Sequence, residues 1–174
     1  MGPMGPTPPP VVDSQSIRIS MASRVPITVG DVTWQTDEAY VSPGLKRTLG
    51  GSSPITDLPA LTNQGVMRTI RFSRDSWFIT VPGLPANGQV QVRLHFVEMN
   101  SIASVVGGRV FHVDIQGSRV LENFDIYQEA GGEAFKAISR EFTATVAADG
   151  TVRVDMVKGP SFNPSLAALE VVVP

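Results

Sequence analysis

Apolar and polar residues alternate along most of this chain. In QVQVRLHF, Val90, Val92, Leu94 and Phe96 take turns with Gln91, Arg93 and His95, so one face of an extended strand packs while the other meets water. VFHVDI (110–115) and TVRVDMV (151–157) repeat the pattern. SIRIS (16–20), MRTIRF (67–72), WFITV (77–81), FTATV (142–146) and LEVVV (169–173) read as further strands. Between them fall Pro82-Gly83, Asn87-Gly88, Gly107-Gly108, Gln116-Gly117, Gly131-Gly132, Asp149-Gly150 and Gly159-Pro160, which supply the positive or fixed φ that a chain reversal needs. Asp149-Gly150 predicts a tight hairpin turn. Many short strands, with helix limited to a turn or two, predict an all-β chain folded as an antiparallel β-sandwich.

Residues 41–65, rich in Gly, Pro, Ser and Thr, and residues 98–108 read as long loops, together with KGPSFNP at 158–164. Loops on a rigid sandwich are where a binding site is expected. Residues 1–10, MGPMGPTPPP, read as a Pro/Gly-rich linker or tail that cannot pack a core. Their two Gly-Pro-X triplets leave open the end of a collagen-like stalk, which would make the chain a homo-oligomer, a trimer. The sandwich domain is expected over 11–174, and 174 residues suit one such domain.

Composition removes several classes of function. With 14 Lys and Arg against 16 Asp and Glu, the formal net charge is −2, so an unspecific hold on nucleic acid or an anionic membrane has no electrostatic source. No apolar run approaches the roughly 18 residues of a spanning helix, so membrane insertion is not expected. The first residues lack the basic end and apolar core of a secretory signal. The absence of cysteine excludes disulfides, thiolate nucleophiles and Cys-ligated zinc, and two histidines are too few for an all-His metal site. No metal and no cofactor are expected.

No nucleophile elbow, phosphate-binding Gly loop or HExxH occurs, so an enzyme is not expected. The acids Glu122, Asp125, Glu129 and Glu133 could gather around calcium or form an acid/base pair, or could be solvated carboxylates around a Gly-Gly turn. His95 and His112 fall at polar phases of strands expected to be neighbours, with Asp114 on the face of His112. Glu98 and Arg71 suggest an ion pair clamped beneath the loops. Aromatic faces stack on sugar C–H groups while planar polar groups take the hydroxyls. Trp34, Tyr40, Phe72, Trp77, Tyr127 and Phe162 are the candidates. Phe162, set between Ser161 and Asn163 in a Gly/Pro loop, is the ring least explained by core packing.

The segments RTIRFS, VRLHFVEMN, RVFHVDIQGSRVLENFDIYQEAGG and NPSLAALEVV resemble the malectin and malectin-like domains, in order and at similar spacing over about 16–173. The run from Arg109 to Gly132 is its most specific part. The resemblance implies a jelly-roll-like sandwich with long loops at one end, a noncatalytic carbohydrate-binding or adhesion module, a glycan or glycoprotein partner, and an extracellular or cell-surface location. The founding members recognise glucose disaccharides, through loop aromatics and an aspartate before the Asn-Pro of the last loop. Here one of those aromatics falls on Phe72, an adjacent Tyr-Phe pair falls on Asn100 and Ser101, and the aspartate falls on Phe162. A further family tyrosine falls near Gly50–Ser53, where no aromatic stands. The candidate ligand-binding residues are therefore Phe72, Asn100, Ser101, Phe162 and Asn163, and the founding disaccharide is expected to bind weakly or not at all. The alternative is a protein-interaction or structural head that has lost sugar binding.

Overall fold

The computed structural model describes residues 16–174, so the expected tail at 1–10 lies outside the described residues. In chain order the elements are β1 (Ile17–Ser20), β2 (Ile27–Val29), β3 (Val32–Thr36), β4 (Lys46–Leu49), α1 (Gln64–Met67), β5 (Thr69–Phe72), β6 (Trp77–Val81) and β7 (Gln89–Val97). There follow β8 (Val110–Ile115), β9 (Ser118–Phe124), α2 (Ile126–Glu129), β10 (Ala137–Thr145), β11 (Val152–Ser161), β12 (Ser165–Leu166) and β13 (Ala168–Val172). The order β10-β7-β13-β1-β3-β2 makes a six-stranded sheet and β6-β11-β8-β9 a four-stranded one, while β12-β5-β4 form a small third sheet. The strand ladders among the described residues are antiparallel except for β1 with β3, which is parallel. The fold is the expected mostly-β sandwich with short helices.

Alternation places the core between the two larger sheets. Ile19, Val92, Leu94, Phe96, Leu169 and Val171 from one face Trp77, Ile79, Phe111, Val113, Val154 and Met156 from the other, all buried. Phe124 stands 4.8 Å from Phe96 and 5.8 Å from Phe111, centroid to centroid, within the range where tilted and edge-on ring pairs attract. A second cluster covers the outer face of the six-stranded sheet. Trp34, Ile55, Val66, Met67, Val97, Ala137 and Ala168 meet there, held down where Trp34 Nε1 donates to the Leu61 carbonyl at 2.7 Å. Strand β7 is therefore buried on both faces toward its end, from Leu94 to Val97, and not solvated on one side throughout.

Some expected boundaries shift. The segment 41–65 is not all loop, since β4 lies within it, and β11 extends to Ser161 inside the expected last loop. The Asp149-Gly150 turn is tight, with Ala147 N donating to the Thr151 carbonyl at 2.9 Å. It does not close a hairpin, however, because β10 and β11 belong to opposite sheets. Glycine is required at Gly159, where a Cβ would overlap the Val110 carbonyl and Phe111 Cα of the neighbouring strand. There the β11–β8 register shifts, and the displaced strand end carries the chain toward Phe162.

Candidate functional site

One end of the sandwich gathers the small sheet, the 98–109 segment and the chain after β11. Strand β5 ends at Phe72, flanked by Lys46 of β4 and Ser165 of β12. Directly opposed residues of an antiparallel pair share a face, which sets the Lys46 stem beside the Phe72 ring. Beyond β11, Phe162 takes φ +61°, a left-handed conformation that costs a bulky residue about 1–3 kcal/mol and persists only where the surroundings enforce it. Three bonds enforce it here. Ser161 Oγ donates to the Gly107 carbonyl at 2.5 Å, Arg109 Nη1 to the Asn163 carbonyl at 2.7 Å, and Trp77 Nε1 to the Pro164 carbonyl at 3.0 Å.

Arg109 is the hub of this end. Nε donates to Glu98 Oε2 at 2.6 Å and Nη2 to Oε1 at 3.2 Å, with both side chains buried. Glu98 Oε1 also accepts from the Asn100 amide at 3.1 Å. The guanidinium carbon lies 4.8 Å from the Phe162 ring centroid, in cation–π range. One buried ion pair thus ties together the loop carrying Asn100 and the loop carrying Phe162. The clamp beneath the loops exists, but its arginine is Arg109 and not Arg71. Arg71 lies in the small sheet and grips the buried Asp37 at 2.6 and 2.9 Å. That hydrogen-bonded carboxylate raises the Arg71 pKa above its ordinary value, against the opposing effect of burial.

Above the clamp opens a cleft of about 670 Å³ lined by Phe72, Asn100, Phe162 and Asn163, with exposed Lys46, Arg74 and Lys158 completing the lining. A smaller recess of about 40 Å³ reaches Thr48, Ile70 and Arg109. Four of the five residues expected from the sequence meet in this cleft; Ser101 is exposed beside it and does not line it. The Asn163 side-chain amide makes no hydrogen bond to protein among the described residues, and Asn100 uses only Oδ1, accepting from Ile102 N at 2.9 Å. Planar donors and acceptors therefore stand open beside two rings. The three cations were not picked out by sequence reasoning; their signal was adjacency in sequence or register to Phe72 and Phe162.

The other expected constellations separate. Trp34 and Trp77 are core residues, and the Tyr40 hydroxyl bonds Gln35 at 2.6 Å. Asp125 is buried and caps α2, accepting from Gln128 N at 3.1 Å and Gly107 N at 2.6 Å. Glu129 pairs with Arg140, Glu122 with Arg119 and Glu133 with Lys136, so the four acids serve separate partners. Among the described residues no three His, Asp or Glu are placed to hold a metal. His95 and His112 are not neighbours, since β7 and β8 lie in different sheets. His112 Nδ1 accepts from Asn123 N at 2.9 Å, and Asp114 pairs with Arg119.

His95 instead sits in a row that the sequence did not reveal. Ser139 Oγ is 2.7 Å from its Nδ1, Glu170 Oε2 is 2.7 Å from its Nε2, and Arg18 Nε donates to Glu170 Oε1 at 3.0 Å. Burial pushes the Glu170 pKa up, but the His95 hydrogen bond and the fields of His95, Arg18 and Arg93 outweigh it and leave the pKa lowered. The serine-histidine-carboxylate order is that of an acyl-transfer triad. It stands on a sheet face, however, and neither the cleft nor its recess borders Ser139, so the row reads as a satisfied structural network.

The Malectin domain family matches residues 17–160. The chain belongs to the malectin family. A probable LRR receptor-like serine/threonine-protein kinase of Arabidopsis thaliana is 39% identical over 64 residues, 34% of this chain and 6% of the kinase. The ANXUR2 extracellular domain from Arabidopsis thaliana superposes with a TM-score of 0.75 at 18% identity, covering 91% of this chain and 41% of that one. The plant receptor FER, solved in complex with the peptide RALF23 and LLG2, superposes at 0.68 and 22% identity, covering 92% and 40%. The malectin domain described here thus spans less than half of either ectodomain chain and a small part of the kinase. Among its described residues no helix is long and apolar enough to cross a membrane. In the Gly50–Ser53 stretch, where the family's additional tyrosine would fall, a Cβ at Gly50 would overlap the Met99 sulfur while one at Gly51 would meet nothing within 4 Å.

Proposed function

We propose that this malectin domain is a noncatalytic carbohydrate-binding module of a larger, extracellular or cell-surface protein, and that the loop-end cleft is its sugar site. The observation that carries the reading is two aromatic rings, Phe72 and Phe162, beside two amides with unused hydrogen-bonding groups, in a cleft of small-molecule size. The rings take sugar C–H faces, Asn100 and Asn163 take hydroxyls, and Ser101 reaches a ligand that extends past the edge. Because no carboxylate lines the cleft, hydroxyl donors find no charged acceptor, and the founding glucose disaccharide binds weakly or not at all. The test is a glycan array probed with the pre-clustered protein, so that weak sites register through avidity. A selective hit abolished by Phe162→Ala supports the reading, and silence from folded protein contradicts it.

A second reading, a protein-interaction head, is favoured by one observation. Ile102, Val105 and Val106 stand exposed in the loop that supplies Asn100, an apolar tip of the kind that meets protein surfaces. The FER ectodomain, a structural neighbour, is solved with a peptide and a protein bound. A silent array, with a stable complex lost on Ile102→Asp, favours this reading. If residues 1–10 form a native collagen-like stalk, the chain sediments as a trimer; a monomer removes that idea.

A further inference from the structure

Most arginines of the molecule hold a carboxylate. Away from the cleft Arg47 and Arg68 rest on backbone carbonyls instead, and exposed Arg24 pairs with no carboxylate among the described residues, but only at the cleft do several such cations line one concavity. Arg71, Arg109, Arg119, Arg140 and Arg153 each hold a carboxylate within hydrogen-bonding distance. Lys46 and Arg74, both exposed at the cleft, form no ion pair among the described residues. Lys158 has only the exposed Asp75, at 3.8 Å, a separation worth little in water. A chain of net charge −2 thus presents a cleft whose lining holds three cations and no carboxylate. A concave site lined by one sign of charge focuses its field and concentrates ligands of the opposite sign.

We infer that the ligand of this cleft is an acidic oligosaccharide, one carrying carboxylate or sulfate groups. The inference rests on the reading that the cleft binds a glycan. Phe72 and Phe162 offer stacking faces that a neutral or acidic sugar ring uses equally. The cations discriminate between the two. Lys46 lies opposite Phe72 in the β4–β5 ladder, and Arg74 follows Phe72 by two residues. Lys158 reaches the cleft from the strand that delivers Phe162. A sugar stacked on either ring therefore has a cation beside its edge, where an anionic substituent projects. An acidic peptide would satisfy the cations, but two rings and two amides with unused hydrogen-bonding groups suit sugar faces and hydroxyls better than an extended strand.

The test uses the full chain and probes that share a backbone but differ in charge: cellotetraose, the β-1,4-linked tetramer of glucuronic acid, and 6-O-sulfated cellotetraose, with a polyglutamate peptide alongside. Binding is measured at low salt and at about 0.3 M NaCl, where screening shortens electrostatic reach to a few ångströms. One or both charged tetramers bind at least about tenfold tighter than cellotetraose at low salt, and the ratio narrows at high salt, as for exposed charges acting together. Which tetramer binds tighter separates carboxylate from sulfate recognition. The double variant Lys46→Gln/Arg74→Gln loses that preference and keeps its melting temperature. Equal or tighter binding of cellotetraose overturns the charge inference and leaves the sugar site standing. Binding of polyglutamate in preference to every tetramer overturns both. Silence toward all tetramers overturns the charge inference, while the array decides separately whether any glycan binds.

Discussion

Two regions of this malectin domain carry dense charge, and they use it in opposite ways. On the outer face of the six-stranded sheet, Arg18, Glu170, His95 and Ser139 form a row in which every charged group meets a partner, and its three titratable members are buried. At the loop end the buried charges, Glu98 and Arg109, are equally well matched, but above them Lys46 and Arg74 face water without a counterion. Charge inside a sheet must be satisfied because desolvation penalises it otherwise. Charge left open beside aromatic rings costs nothing in water and remains available to a ligand. If the cleft binds a ligand as proposed, the same residue types mean structure in one place and recognition in the other, and the difference lies in burial and the partners each charge holds.

The comparison breaks most visibly at Arg109. Arg109→Ala leaves Glu98 buried and unpaired, releases the Asn163 carbonyl and removes the support behind Phe162, so it destabilises the fold by about 3–5 kcal/mol and abolishes cleft binding. Chemical denaturation and a binding assay read both. The sheet row gives a smaller effect that depends on pH. Because the folded pKa of Glu170 lies below its unfolded value, the row's contribution is fully present above about pH 4.3 and is lost as pH falls through the folded pKa. Glu170→Gln accordingly costs about 1–3 kcal/mol at pH 7, and its deficit against the parent shrinks below about pH 4, as stability curves against pH would show.

At the cleft itself stability and binding part company. Phe162→Gly relieves the φ of +61°, so it leaves stability unchanged or raises it by up to about 1 kcal/mol while removing a stacking face. A loss of stability comparable to that at Arg109 would make Phe162 a structural plug. The smallest effect on folding belongs to Lys46→Gln and Arg74→Gln, within about 0.5 kcal/mol of the parent.

How much of this was legible in the sequence follows from what period and turn chemistry encode. Alternation in β7, β8 and β11 exposed the strands and the inward set from Val90 to Phe96. It was silent on sheet membership, which decides that His95 and His112 stand apart and that Asp149-Gly150 links two sheets. The β2–β3 hairpin went unnamed although Val29-Gly30-Asp31-Val32 carries a two-residue turn signal, with Gly30 at φ +58°. At the site, aromatic placement and family resemblance brought out Phe72, Asn100, Phe162 and Asn163. The arginine of the clamp depended on which strands become neighbours in space, so Glu98 was legible and its partner was not. The cationic lining was hidden because Lys46, Arg74 and Lys158 are far apart along the chain and meet only where the small sheet comes up to the end of β11.

The most direct test of the account is a residue-resolved titration, following backbone amide signals by NMR as the glucuronic acid tetramer is added to the full chain. The account predicts saturable shifts concentrated at Lys46, Phe72 to Arg74, Asn100 and Lys158 to Asn163, with the Ser139, His95 and Glu170 signals unmoved. Shifts centred on that sheet row, or none at the loop end while binding is otherwise detected, would contradict it.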